Sequence, residues 1–305
     1  MFEKLSKIVG EENILENEPM SLHTTFRVGG PARYFVTVNS ETELLVLLKF
    51  LKQKSVEYYI LGNGSNLLVS DEGYSGVVIQ LAGEFDIISV SDNKIIAGSG
   101  ILLCSVAARA MAEGLTGMEF ASGIPGTIGG AVLMNAGAYE GEMKQIISSV
   151  RILWIDDAGD FPIENVNCEN MKFGYRTSIL KERRGIVLAA KLTLEYGDKE
   201  KIKEKTDELN GKRREKQPLE YPSAGSTFKR PEGHFAGKLI SDAGLKGYSI
   251  GMACVSEKHA GFIINKGGAR AREIRELIDY VIKVVKEKYD VELEPEIIFL
   301  GNTEK

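Results

Sequence analysis

The sequence predicts an α+β fold in two regions, and three observations carry that reading. Strand-like and helix-like segments are mixed over the first 200 residues without the regular alternation a doubly wound sheet requires. Two glycine-rich segments fall within that part, at 62–66 and 122–137. A long charged helix then stops at Pro218, and Gln217–Gly233 is rich in Pro, Gly and Ser, as a loop or boundary should be. At about 150 residues per domain, 305 residues suit two domains. The expected division is a first region at 1–200, in subdomains of about 1–80 and 81–200, and a C-terminal region at 201–305.

Taken in order, Met1–Gly10 is amphipathic, with Phe2, Leu5, Ile8 and Val9 opposite Glu3, Lys4 and Lys7. Glu41–Lys54 reads as a helix capped by Ser40. Tyr58–Leu61, Leu67–Val69 and Val77–Leu81 are apolar runs bounded by turn residues, hence strands. Asp86–Val90 and Lys94–Ala97 flank Ser91, Asp92 and Asn93 and predict a hairpin. Leu102–Glu113 reads as a helix stopped by Gly114; Val150–Ile155 and Gly185–Leu194 read as strands around a turn at Asp156–Asp160. Lys199–Lys216 is a helix whose charges suit a solvated face. A second long helix is expected over Ala271–Tyr289, and a strand over Val291–Leu300.

Apolar residues make up 43% and charged residues 27%, an ordinary globular balance. A formal net charge of -5 argues against nucleic acid as the main partner. The N-terminus lacks a signal-type apolar core, and no apolar run approaches the ~20 residues of a membrane span. The expectation is a cytoplasmic chain with no membrane insertion. Cys104, Cys168 and Cys254 are scattered and form no CxxC, which suits reduced thiols. His23, His234 and His259 are equally dispersed, so no metal site is expected.

The first glycine-rich segment, Leu61-Gly62-Asn63-Gly64-Ser65-Asn66, lets a backbone turn sharply and point successive N–H groups at an anion. It is not a Rossmann fingerprint, because Leu67 stands where the third glycine belongs. In the second, Gly123, Gly126 and Gly129 recur every three residues. Two explanations are open for their entropic cost: backbone contact with a pyrophosphate, or tight packing of a bent strand or helix.

The runs TFRVGGPA (25–32), LGNGSNLL (61–68) and GIPGTIGGAVLMNAGAY (123–139), in that order and spacing, resemble the UDP-N-acetylenolpyruvoylglucosamine reductase family. The resemblance extends from about Thr24 to Gly301 and is made specific by C-terminal motifs. It implies an FAD-binding domain of the vanillyl-alcohol-oxidase type, built of two α+β subdomains, followed by a smaller α+β substrate-binding domain. It implies non-covalent FAD, NADPH as electron donor, and UDP-N-acetylglucosamine enolpyruvate as substrate. The cofactor-binding residues would be Leu61, Gly62, Asn63, Gly64, Ser65 and Asn66 from the first segment. From the second they would be Ser122, Gly123, Ile124, Pro125, Gly126, Gly129, Gly130, Ala131, Asn135, Ala136 and Gly137.

Three motifs would carry the chemistry. In FGYRTS (173–178) an arginine can cap a turn or pair with a carboxylate; the resemblance makes Arg176 catalytic and lays Tyr175 against substrate. In PSAGSTFK (222–229) a serine after Ala-Gly is ordinarily a turn residue; the resemblance makes Ser226 the proton donor. In VELEPEI (291–297) strand alternation puts Glu292, Glu294 and Glu296 on one face as equals, and the resemblance singles out Glu296 as catalytic. Lys216 and His259 match substrate-contact positions, and Arg230 stands where some relatives have asparagine. Ile298 departs from the arginine often found there, a role left to Arg270 or Lys266. No insertion follows Ser178, which resembles the shorter type of the family, without its inserted tyrosine loop. A flavin oxidase of the same superfamily would share the glycine loops but lack the two C-terminal motifs. A non-catalytic sensor would have no use for Arg176, Ser226 and Glu296 together.

Overall fold

A computed structural model describes residues 1–156 and 159–301. Asp157 and Ala158, in the turn expected at Asp156–Asp160, lie outside the described residues. Two compact units are present, each assembled from separate stretches of chain. One comprises Met1–Leu15, Phe35–Asn63 and Val77–Lys212; the other comprises Glu16–Tyr34, Gly64–Gly76 and Arg213–Lys305. Both mix helices and strands, as the α+β expectation requires.

The first unit is built on an antiparallel sheet ordered Ile163–Asn167, Ile147–Trp154, Gly185–Thr193, Lys94–Gly98, Ile88–Ser91. Helix α1 (Phe2–Val9) buries Leu5 and Val9, and α2 (Glu41–Gln53) starts where Ser40 Oγ accepts the Glu43 N–H at 3.2 Å. Leu44, Leu47, Leu48 and Leu51 recur at helical spacing and are fully buried. Tyr58–Leu61 runs parallel to Val77–Gln80. Helices α3 (Leu103–Ala112) and α4 (Ile128–Leu133) contribute Leu103, Val106, Ala110, Ile128 and Val132 to one core with Ile95, Val150, Ile152 and Trp154 of the sheet. Helix α4 arises inside the second glycine-rich segment, where periodicity gave no helical signal. Thr127 is its N-cap. Helix α5 (Lys199–Lys216) has only Ile202 and Leu209 buried, and its remaining face is a solvated lattice of Lys and Glu.

The second unit packs α6 (Ala236–Asp242) and α7 (Ala271–Tyr289) with a meander of Ser249–Ile250, Ala253–Val255 and Ile263–Asn265. Ile274, Leu277, Ile278, Val281 and Val285 form the apolar stripe of α7 and are fully buried. Ile298–Leu300 pairs in parallel with Leu67–Val69. The strand expected over Val291–Leu300 is confined to Ile298–Leu300. Pro295 has no N–H for a ladder, and forms only an isolated bridge with Phe228. Alternation still holds at Glu292, Leu293 and Glu294, with Leu293 buried between exposed glutamates; Glu296 breaks it by being half-buried.

Asp71 caps α7 across 200 residues of sequence. Its carboxylate accepts the Ala271 N–H at 2.7 Å and the Arg272 N–H at 3.0 Å. Negative charge there meets two orphan amides and the positive end of a 19-residue helix. Asp71→Ala is expected to cost about 1 kcal/mol, read as a lower urea midpoint, with Asp71→Asn losing less. Equal midpoints for wild type and Asp71→Ala would refute the cap.

Candidate active site

In the first unit the second glycine-rich segment is anchored at several points. Asn63 Nδ2 donates to the Pro125 carbonyl at 2.5 Å, and Gly62 lies so close to Thr127 that an added Cβ would sit 2.7 Å from Thr127 Oγ1. Ser122 Oγ donates to the Glu119 carbonyl at 2.8 Å. The amides of Ile128 and Gly129 are taken by the carbonyls of Ile101 and Ser99, and that of Gly130 by Thr127 Oγ1. A Cβ on Gly129 would stand 3.2 Å from Ser99 Cβ. Gly129 is therefore a packing glycine, whereas Gly130 is exposed, with only Thr127 Oγ1 within reach of an added Cβ.

Arg176 sits in a tight turn with a left-handed backbone, φ 53°. Gly174 and Thr177 close the turn by exchanging backbone hydrogen bonds of 3.2 and 3.4 Å. Arg176 Nη2 donates to the Gly137 carbonyl at 3.2 Å, and its guanidinium lies 5.2 Å from the centre of the exposed Tyr175 ring. Ser178 Oγ reaches the Leu133 carbonyl at 2.9 Å. From Ser178 a single short helical turn, Ile179–Lys181, leads to the strand at Gly185, so no insertion intervenes.

In the second unit one buried residue ties the candidate groups together. Thr227, fully buried, donates its N–H to Gly261 at 2.8 Å, accepts the Ile263 N–H on Oγ1 at 3.1 Å, and accepts the Glu296 N–H on its carbonyl at 2.8 Å. Ser226, immediately before it, is exposed, and its Oγ has only a 3.4 Å contact with the Phe228 carbonyl. Asn66 Nδ2 donates to the Glu296 carbonyl at 3.0 Å. The structure thus brings Ser226, His259 and Glu296 together, and sequence reasoning missed Thr227 as their clamp. A threonine beside the serine of the motif was the sole signal. Lys216 is exposed at the end of α5. Lys229 and Glu294 form an ion pair, which separates Glu294 from Glu296 in role. Arg270 stands at the N-cap of α7, and Ile298 is placed by its N–H to the Asn66 carbonyl.

His259 is half-buried. Its Nδ1 accepts the Gly261 N–H at 3.1 Å, so the neutral ring carries its proton on Nε2. A Cβ on Gly261 would stand 3.0 Å from His259 Cε1 and 3.6 Å from Ser226 Oγ, so that glycine keeps imidazole and hydroxyl close. Burial first, and the Lys246 charge with it, hold the imidazole below its ordinary value near 6.5.

Several of the donors that a dinucleotide requires are present. The amides of Gly62 and Asn63 in the first unit, and of Gly64, Ser65 and Asn66 in the second, donate to no other described residue. Those of Gly123, Gly126 and Thr127 are likewise open. Gly64 is buried, with φ 59°, and any side chain on it would collide with the His23 carbonyl. A buried amide with no protein acceptor calls for a ligand acceptor. In the first unit, the amides of Gly62, Asn63, Gly123, Gly126 and Thr127 fit a pyrophosphate bound through main-chain N–H groups. Among the described residues there is no cluster of His, Cys, Asp and Glu able to hold a metal, and no helix long and apolar enough to cross a membrane.

Comparison with known proteins agrees. Residues 32–157 match the family described as "FAD binding domain", which places the chain among the flavoproteins. Residues 217–300 match "UDP-N-acetylenolpyruvoylglucosamine reductase, C-terminal domain". A UDP-N-acetylenolpyruvoylglucosamine reductase of Caldanaerobacter subterraneus subsp. tengcongensis is 53% identical, covering 99% of this chain and 98% of that one. One of Clostridium perfringens is 51% identical over 98% and 97%. The crystal structure of the Thermus caldophilus enzyme superposes with TM-score 0.80 at 39% identity, covering 94% of this chain and 98% of that one. The chain belongs to the UDP-N-acetylenolpyruvoylglucosamine reductase family, and is an FAD-dependent oxidoreductase.

Two outcomes follow from this geometry. Thr227→Val keeps the shape but leaves the Ile263 N–H buried without an acceptor, for an expected loss of about 1–3 kcal/mol in urea unfolding; an unchanged midpoint would remove Thr227 as the clamp. For His259, a folded pKa below the unfolded one means the unfolded chain binds the extra proton. Its contribution is complete above about pH 6.5 and is lost as pH falls through the window beneath. Replacing His259 by Gln should flatten the stability profile between roughly pH 7 and 5; an unaltered slope would show that the ring is not held neutral.

Proposed function

We propose that this chain reduces UDP-N-acetylglucosamine enolpyruvate to UDP-N-acetylmuramate with electrons from NADPH, a step of peptidoglycan precursor synthesis in the cytoplasm. The observation that carries the reading is the Thr227 clamp: within the stretch matched to the C-terminal domain of the family, it joins the segments bearing Ser226, His259 and Glu296. The division of labour is an FAD-binding region at 1–200 and a substrate-binding region at 201–305, which the matches at 32–157 and 217–300 support.

When bound, FAD would supply hydride chemistry between NADPH and the methylene carbon of the enolpyruvyl group. The open amides of 62–66, 123 and 126–127 would hold its pyrophosphate, with Leu61, Ser122, Ile124, Pro125, Gly129, Gly130, Ala131, Ala136 and Gly137 completing the loops. As hydride arrives, the π electrons move to the neighbouring carbon and into the substrate carboxylate. Arg176 and Lys216 stabilise that charge; donors preorganised in this way contribute on the order of 10²–10³-fold each. The planar guanidinium of Arg176 suits a carboxylate in particular. Ser226 Oγ delivers the proton to the carbanionic carbon, and is reprotonated from solvent before the next turnover. Glu296 acts on the substrate carboxylate, as a protonated acid or as an orienting partner. Tyr175 and His259 contact substrate, the latter as a neutral donor through Nε2. NADPH, a proton and the enolpyruvyl ether thus give NADP and the lactyl ether.

The test is a visible spectrum taken anaerobically: a yellow protein should bleach with NADPH and regain colour only with the enolpyruvyl substrate. A colourless protein that cannot be reconstituted with FAD would remove the proposal. Ser226→Ala is expected to slow recolouring by roughly 10²–10⁴-fold while bleaching by NADPH stays nearly intact. Equal losses in both halves would assign Ser226 to something other than proton delivery.

A further inference from the structure

We propose that Asn135 is a positioning residue that holds the Arg176 turn in place, rather than a side-chain ligand of the cofactor. The inference rests on the functional reading above for what Arg176 does, and on geometry alone for how it is held. Asn135 has no exposed surface and a left-handed backbone, φ 42°, which asparagine tolerates better than most residues. Its Nδ2 donates to Glu142 Oε2 at 2.9 Å and to the Gly174 carbonyl at 3.0 Å. Its Oδ1 accepts the Lys144 N–H at 2.9 Å. Only one orientation of the amide satisfies these partners: a carboxylate and a carbonyl need the NH₂, and a backbone N–H needs the oxygen. Both Nδ2 donors are therefore committed, and a ligand has none left to use.

The Gly174 carbonyl is the structurally important partner. Gly174 and Thr177 close the turn that presents Tyr175 and Arg176. Asn135 grips one end of that turn, and Ser178 Oγ fixes the other to the Leu133 carbonyl. The Arg176 guanidinium is steadied between them by the Gly137 carbonyl. All three anchors lie in 133–137, from the last residue of α4 onward. Behind Asn135, Glu142 is itself fixed, by Lys144 Nζ at 2.7 Å and by a capping interaction of its N–H with Gln145 Oε1 at 3.0 Å. The stretch proposed to line the cofactor thereby sets the position of the catalytic arginine, through one buried amide. A non-glycine residue in the left-handed region reverts easily when such a restraint is removed.

The test uses the FAD-loaded enzyme carrying Asn135→Ala, in the wild-type and Arg176→Lys backgrounds. A misplacement of Arg176 by about 1 Å should slow reoxidation of the reduced enzyme by substrate about 100-fold, with bleaching by NADPH changed less than about twofold. Hydrogen exchange of the segment 172–178 should accelerate. Against Arg176→Lys, the further loss should shrink to less than about threefold, because the group being positioned is already altered. Should Asn135→Ala fail to fold, Ser178→Ala removes a single anchor and should give about tenfold slower reoxidation with the same non-additivity. Losses that multiply in both backgrounds, reoxidation at the wild-type rate, or unaltered exchange over 172–178 would each overturn the proposal. A wild-type enzyme whose reduced flavin ignores the substrate would sink the functional reading, and the exchange comparison would still decide the clamp.

Discussion

The groups proposed to carry the chemistry lie on loops, and a loop inside a protein must still find a partner for every buried N–H and C=O. Much of the structure serves that constraint. Helices and strands match their own backbone groups, but the segments bearing Arg176, Ser226 and Glu296 do not repeat and cannot. Four short polar side chains substitute for a regular ladder. Asn135 matches Gly174 and Lys144; Thr227 matches Ile263. Asn265, nearly fully buried, donates to the Phe26 carbonyl at 3.0 Å and accepts the N–H groups of Gly267 and Ala269. Asn66 matches the Glu296 carbonyl. Each mimics a piece of backbone, which is why amides and hydroxyls, and not longer charged groups, occupy these places.

Rigid loops of this sort favour transition-state stabilisation by fixed dipoles and charges. An arginine whose turn is closed at both ends and whose guanidinium rests on a carbonyl has little left to reorganise when negative charge develops nearby. The imidazole of His259 is prepared differently. Burial makes its charged form unfavourable, and the Gly261 N–H fixes its tautomer, leaving a neutral donor. Ser226, by contrast, is exposed and only weakly held, as suits the proton delivery proposed for it.

The glycines show how one motif serves two purposes. By composition, backbone contact and tight packing explain the second segment equally well. In the structure Gly129 is pressed against Ser99, while Gly130 faces open space. Gly64 has both a left-handed backbone and a carbonyl where a side chain would be. Likewise, alternation makes Glu292, Glu294 and Glu296 equivalent, and packing then separates them: Glu294 pairs with Lys229, Glu292 stays exposed, and the Glu296 backbone is held by Thr227 and Asn66.

By itself the sequence determined the α+β class, the long helices and most central strands, because apolar periodicity and stop residues are local signals. It also carried the family, since ordered motifs survive as strings. Only the tertiary structure decided that α4 forms inside a glycine-rich run, that the strand after Tyr289 shrinks to Ile298–Leu300, and that each unit is assembled from distant stretches. It alone decided that Asn66 and Asn135 turn their side chains to protein carbonyls. The reason is physical: which buried polar groups need partners depends on residues far away in sequence, such as Phe26 and Asn265 with a separation of 239, and no local pattern records that need.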